Sequence, residues 1–263
     1  MGDLAFAHPD ELWAMCRQGS FRGVTAGICQ GYAQANLVVL PKAQAFEFLL
    51  FCQRNPKPCP VLDVTEPGSP HPPIAAPEAD LRTDLPLYRV YREGRLVDEP
   101  TDIAAYWRDD LVAFLLGCSY TFERALIAND IPVRHIEEKV NVPMYISSLE
   151  CVRAGIFWGP MVVTMRPIPH QKVVRAVQVT SRFPAVHGAP VHVGDPAQIG
   201  IEDLSRPHFG NPVTVKPGEV PVFWACGVTP QAVAMHVRPE LMITHAPGHM
   251  FVTGLKDEQL GVL

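Results

Sequence analysis

The chain has 263 residues and a mass of 29.0 kDa, enough for one large domain or two small ones around a buried core. Its 27 prolines are about one residue in ten against a usual ~5%, yet 48% of residues are hydrophobic and the 19 glycines are ordinary in number, which excludes a disordered or collagen-like chain. A net charge of −5, from 22 basic and 27 acidic side chains with no basic block, predicts no nucleic-acid partner.

No apolar run reaches the ~18 residues of a membrane span. The first twenty residues carry Asp3, Asp10 and Glu11 before any apolar stretch and do not read as a signal peptide, so the expected location is the cytoplasm, with no membrane partner. Seven cysteines (Cys16, Cys29, Cys52, Cys59, Cys118, Cys151, Cys226) form an odd set without a CxxC pair, indicating neither a disulfide framework nor a zinc ribbon. Most are expected to be buried small hydrophobes.

In chain order, Pro9 to Gln18 reads as a helix, with Pro at its first position, Gly19 past its end and Leu12, Met15 and Cys16 on one face. After a glycine-rich connector, Asn36 to Leu40 is a buried strand, Lys42 to Arg54 a helix stopped by Pro56, and Val61 to Val64 a strand, the order of a parallel βαβ unit. The five prolines of Glu66 to Ala79 mark a loop and a boundary between subdomains. Leu87 to Arg92 and Arg95 to Glu99 flank Glu93-Gly94 as a hairpin, and Thr101-Asp102 caps a short helix through Trp107. Leu111 to Leu116 is an apolar run ended by Gly117, Ser119 to about Asn129 a helix, Met161 to Arg166 a strand, and Gln171 to Thr180 a helix with Val173, Val174, Val177 and Val179 inward. Val220 to Ala225, a helix started by Thr229-Pro230, and Leu241 to Thr244 repeat the strand–helix–strand order. The expected fold is α/β: an open, mostly parallel sheet built from residues 1–80 and 185–263, with an α+β subdomain inserted at 81–184.

The densest reactive cluster is Gly117-Cys118-Ser119-Tyr120-Thr121-Phe122-Glu123, a thiol, three hydroxyls and a carboxylate at a helix start, where free backbone N–H groups favour an anion. A helix cap with a solvated glutamate is the alternative. His245-Ala246-Pro247-Gly248-His249 follows a strand end; its Pro-Gly forbids helical geometry, so a metal would need a third ligand from elsewhere, and the other readings are a histidine acting on substrate or a structural turn. Ser181 to Pro190 leaves a helix as a rigid loop in which Arg182 is either a carboxylate clamp or a helix C-terminal charge. Phe223 to Gln231 has the form of an anion pocket, but GxGxxG, GxxxxGK[ST] and GxSxG are all absent, which disfavours a nucleotide cofactor and a serine hydrolase. No cofactor or metal is expected.

Thr25-Ala26-Gly27, Gly31-Tyr32 with Gln34-Ala35-Asn36, Gly117-Cys118-Ser119 with Phe122-Glu123, Ser181 to Pro190, Phe223 to Gln231 and Thr244 to Met250 together resemble the D-glutamate cyclase family, over about residues 10 to 255. The resemblance implies a hydro-lyase acting on a small carboxylic or amino acid, with cyclisation of D-glutamate to 5-oxoproline as the characterised reaction. That chemistry needs a neutral amine, a stabilised oxyanion and a protonated leaving hydroxyl. Arg182 is the expected carboxylate holder. The N–H groups at Ser119 and Tyr120, or at Val228 and Thr229, are expected at the oxyanion, and Glu123, His245 or His187 as proton carriers. Cys118, Tyr120, Thr229, His249 and Asn36 are expected to line the substrate. The alternative function is a non-catalytic carboxylate-binding or regulatory protein, and a homo-oligomer is compatible with the sequence.

Overall fold

The computed structural model describes residues 4–262. Helix α1 (Pro9–Arg17) starts from His8, whose ring accepts from the Asp10 N–H while Glu11 closes a capping box, and it buries Leu12, Trp13 and Cys16. Strand β1 (Tyr32–Pro41), helix α2 (Lys42–Arg54) and strand β2 (Val61–Val64) follow where the sequence pattern puts them. Strands β3 (Tyr88–Arg92) and β4 (Arg95–Asp98) form the expected hairpin, with Glu93 and Gly94 at φ of 49° and 73° as a tight primed turn requires. Next come β5 (Leu111–Gly117), α3 (Tyr120–Ile127) and α4 (Arg134–Glu138). The chain continues through β6 (Met144–Glu150), β7 (Pro160–Pro169), α5 (Val173–Ser181), β8 (His192–Val193) and β9 (Glu219–Ala225). It closes with α6 (Thr229–Val237), β10 (Met242–His245) and β11 (Phe251–Lys256).

Two sheets organise these elements. The first has the order β2-β5-β1-β10-β3-β4, with β11 also on β1; the second is β6-β7-β9-β8. Every pairing between these strands is antiparallel, which corrects the expected mostly parallel sheet. The reason lies in what fills the gaps. β1 and β2 do run in the same direction, but β5 lies between them and pairs antiparallel with both. The later strand–helix–strand unit is divided: β9 belongs to the second sheet, β10 to the first, and α6 passes from one to the other.

Alternation along β1 sends Leu37 and Val39 to one face, against Trp13 of α1 and Ala75, Ala79 and Leu81, and Val38 and Leu40 to the other, against Phe48 and Phe51 of α2 and Val233 of α6. In the second sheet Ile168, Val222 and Trp224 face Phe122 and Leu126 of α3 and Ala176 and Val179 of α5, while Val163, Met165 and Phe223 face the opposite side. Helix α5 buries Val179 as expected, with Val173 packed against the same core, together with Ala176 and Thr180; Val174, expected inward, is 68% exposed. Among the described residues no helix is long and apolar enough to cross a membrane.

The proline-rich stretch after β2 is a loop, and it is held against the first sheet. The buried Asp63 carboxyl accepts from the Ile74 and Ala75 N–H groups at 2.8 and 2.7 Å, and the Gly254 N–H donates to the Ala75 carbonyl at 2.8 Å. Removing the carboxyl strands the Ile74 and Ala75 N–H groups, the second of them fully enclosed, and releases that of Val64, so Asp63→Ala is expected to cost about 2–3 kcal/mol and to lower Tm by roughly 5–10 °C in a thermal melt.

Candidate active site

Arg166 stands on β7 between Thr164 and Ile168, on the face turned toward α3, with no exposure. A guanidinium in such a place must find partners for its donors. Its Nη1 donates to Thr164 Oγ1 at 3.1 Å, Nη2 to Ser119 Oγ at 3.0 Å and to Glu123 Oε1, and Nε to Glu123 Oε1 at 3.0 Å. The rings of Phe122 and Trp224 lie 5.3 and 5.5 Å from its central carbon, completing a cation–π enclosure. His135 of α4 brings Nε2 to 3.0 Å from the same Glu123 oxygen, at ion-pair distance but out of line for a hydrogen bond. Tyr120 stacks on the His135 ring at 5.9 Å.

All three nitrogens converge on Glu123 Oε1, which leaves Oε2 without a donor among the described residues. Burial by itself raises the Glu123 pKa; the His135 ring and the Arg166 guanidinium outweigh it and hold the carboxyl below its ordinary value. Glu123 also lines a small cleft of about 80 Å³ with Gln30, Tyr32, Tyr120, Arg124 and Asp257. Arg124 follows Glu123 on α3 and stands mostly exposed, 3.9 Å from Asp257.

Behind the cleft, the ends of β5 and β9 meet. A Cβ on Gly227 would fall 1.9 Å from Asn36 Nδ2, and one on Gly117 would fall 2.1 Å from the Ala185 carbonyl oxygen, so each position admits only glycine. Asn36 donates through Nδ2 to the Leu116 and Gly117 carbonyls at 3.2 and 2.8 Å. Cys118 and Cys226 lie in one apolar cluster with Tyr120 and Val228, and burial pushes both thiols up, Cys226 to about 11. The Thr229 N–H donates to the Cys226 carbonyl at 3.0 Å. Of the four N–H groups expected at an oxyanion, that of Thr229 is thus engaged within its own turn. The Thr229 hydroxyl donates to the Cys226 carbonyl at 2.7 Å and accepts from the Val162 N–H at 3.0 Å, tying α6 to β7.

Ser119, Glu123, Cys118, Tyr120, Asn36 and Thr229 are therefore gathered around the junction of the two sheets. The His245–His249 turn adjoins it through Asn141, which accepts from the Tyr120 hydroxyl at 2.8 Å and donates to the Pro247 carbonyl at 3.1 Å. His249 is half-buried in that turn, its pKa lowered by desolvation. His245 is fully buried on β10, its Nδ1 accepting from the Leu37 N–H at 3.2 Å while Nε2 has no partner, and burial lowers its pKa to about 3. His187, buried with φ of 84°, holds the Lys57 carbonyl through Nδ1 at 2.6 Å, and burial takes its pKa to about 4. Arg182 is not brought to this junction. It is exposed at the end of α5, with Nε donating to the Val262 carbonyl at 3.1 Å, beside a separate surface cleft with Arg175 and Glu258.

Two residues of the cluster, Arg166 and His135, escape sequence reasoning. Arg166 had a usable signal: a lone cation in the apolar strand run Met161 to Ile168 requires a buried anion. His135 had none, because its short helix carries no apolar periodicity. Among the described residues no three His, Cys, Asp or Glu side chains are placed to share a metal ion.

The D-glutamate cyclase family model matches residues 112–254, a span that contains Ser119, Glu123, His135 and Arg166. A Bacillus licheniformis protein named "Putative hydro-lyase" is 68% identical over 255 residues, covering 97% of each chain. A Geobacillus kaustophilus protein of the same description is 68% identical over 263 residues, covering 99% of this chain and all of its own, and one from Bacillus subtilis is 64% identical over 255 residues, covering 97% and 99%. Among solved structures, a nitrogen repressor-like protein from Methanococcus jannaschii aligns over 95% of this chain and 98% of its own at 9% identity and a TM-score of 0.39, too distant to assign the fold. A family match across more than half of the chain, joined to full-length relatives at this identity, makes this chain a member of the D-glutamate cyclase family.

Proposed function

We propose that the protein eliminates water from a small amino acid bound in the cleft between α3 and the β11 end, with cyclisation of D-glutamate to 5-oxoproline as the reaction. The observation that carries this reading is the divided state of Glu123: Arg166 and His135 hold Oε1, Oε2 has no donor among the described residues, and the residue lines the cleft. A carboxylate held ionised in a buried floor is a poor general base and a strong electrostatic anchor. Glu123 therefore binds the substrate ammonium, rather than moving protons as the sequence suggested. Arg124 at the mouth binds a substrate carboxylate, and Arg166 and His135 act as positioning residues that keep Glu123 charged and aimed.

The direct measurement is incubation of the purified protein with D- and L-glutamate, following 5-oxoproline by mass spectrometry. Product from the D-enantiomer is expected; ligand-induced thermal stabilisation without product from either enantiomer would instead identify a non-catalytic carboxylate-binding protein. Glu123→Gln is expected to weaken kcat/KM about 100-fold or more. It is also expected to destabilise by about 3–5 kcal/mol, because Arg166 loses its counter-charge in a dry environment.

The protonation states set the acid limb of stability. His187 and His245 fold as neutral rings with pKa values of about 4 and about 3, against ~6.5 in the unfolded chain. Between those limits the unfolded state binds more protons, so stability falls as pH falls, by up to about 2.7 kcal/mol per pH unit for two protons. Glu123, lowered in the fold, acts in the same direction below the ordinary carboxyl range. Urea denaturation midpoints at pH 7.5, 6 and 5 are expected to decrease in that order; a flat profile would mean that neither ring is neutral and enclosed.

A further inference from the structure

Asp257 begins the turn Asp257–Leu260 directly after β11, and its N–H donates to the Gly31 carbonyl at 3.1 Å, which sets the residue at the wall of the cleft that Glu123 also lines. It is 9% exposed, yet among the described residues the only side chain within ion-pair distance of its carboxyl is Arg124, at 3.9 Å, too far for a hydrogen bond. The charges around it are few: Arg124 from α3, and Lys256 and Glu258 from its own segment, with the Lys256 ammonium drawn 3.4 Å over the Tyr32 ring. Burial pushes the Asp257 pKa up, and Arg124 and the Glu258 N–H only partly counter it. Two carboxyl groups thus line one cleft with pKa values displaced in opposite directions, the pattern that separates a charged anchor from a proton carrier.

Lactam formation moves two protons. The substrate ammonium gives up one before its nitrogen can attack the γ-carboxyl carbon, and the nitrogen gives up a second as the C–N bond forms. Both leave on the departing oxygen as the C–O bond breaks and water is released, and the net charge is unchanged. One group able to accept and return a proton within the cleft satisfies this sequence, and no external acid, base or redox partner is required.

We infer that Asp257 is the proton carrier of this cleft, taking the proton of the substrate ammonium and delivering it to the departing oxygen while Glu123 stays charged. The inference rests on the amino-acid lyase reading of the site, and the experiment separates the two. Wild type, Asp257→Asn and Asp257→Glu are assayed for 5-oxoproline formation from D-glutamate across pH. Binding of D-glutamate and of glutarate, which lacks the amine, is measured in parallel by calorimetry, with a thermal melt to confirm folding. The expected result is kcat lower by about 100-fold or more in Asp257→Asn with KM changed only a few-fold, loss of one limb of the pH profile, and partial recovery in Asp257→Glu. Wild-type turnover with unaltered kcat and pH profile in Asp257→Asn overturns the role of Asp257 and leaves the lyase reading intact. Wild-type binding of D-glutamate without turnover overturns both the lyase reading and the proton carrier, while a glutamate-over-glutarate preference retained in that case upholds Glu123 as the ammonium anchor. Absence of both binding and turnover in the folded wild type overturns all three assignments.

Discussion

A cation buried without water has to be answered from several directions at once, and the answer to Arg166 holds this molecule together. The residue belongs to the second sheet, but its partners Glu123 and Ser119 belong to the helix start that leaves the first. Desolvation of a guanidinium costs several kcal/mol, so the arrangement is tolerable only with Glu123 ionised and close, Thr164 and Ser119 taking the remaining donors and two aromatic faces closing the sides. One electrostatic requirement thereby sets the relative placement of the two sheets and the charge state of the carboxylate presented to the cleft.

Close backbone approach is the second constraint. Gly117 ends β5 and Gly227 lies two residues past the end of β9, and each is pressed against a neighbour at a distance no side chain permits. Asn36 fills the space between them and satisfies the carbonyls left open where β5 stops pairing. Cys118, after Gly117, and Cys226, before Gly227, belong with the packing: both thiols are buried and shifted away from the reactive thiolate. Likewise His187 and His245 are enclosed and neutral, holding backbone groups of distant segments, which suits them to joining the fold more than to exchanging protons with a ligand.

Much of this was legible in the residues. The strand and helix positions around β1, α2, β2, β9 and α6, and the hairpin at Glu93-Gly94, followed from apolar periodicity, Pro at helix starts and turn chemistry, because each of those signals is local. The cluster from Cys118 to Glu123 stood out by its composition. What misled was the assumption that strand–helix–strand order implies parallel neighbours; β5 filling the space beside β1 is a long-range pairing with no local trace. Arg182 drew attention because it sits in a conspicuous proline-rich block, while Arg166, the cation that meets Glu123, sits in a plain strand.

The prolines show the same division. Pro9 and Pro230 are helix starts that sequence alone identifies, since a fixed φ and a missing donor are tolerated there. That Pro247 lends its carbonyl to Asn141, and through it to Tyr120, is a contact over more than a hundred residues of chain. By itself the sequence determined the type and position of most of the elements and the kinship with the D-glutamate cyclase family. Only the tertiary structure decided that the sheets are antiparallel and that Glu123 is an anchored anion. The physical reason is that periodicity and propensity act between residues a few positions apart, whereas pairing, desolvation and charge compensation act between whichever residues the fold brings into contact.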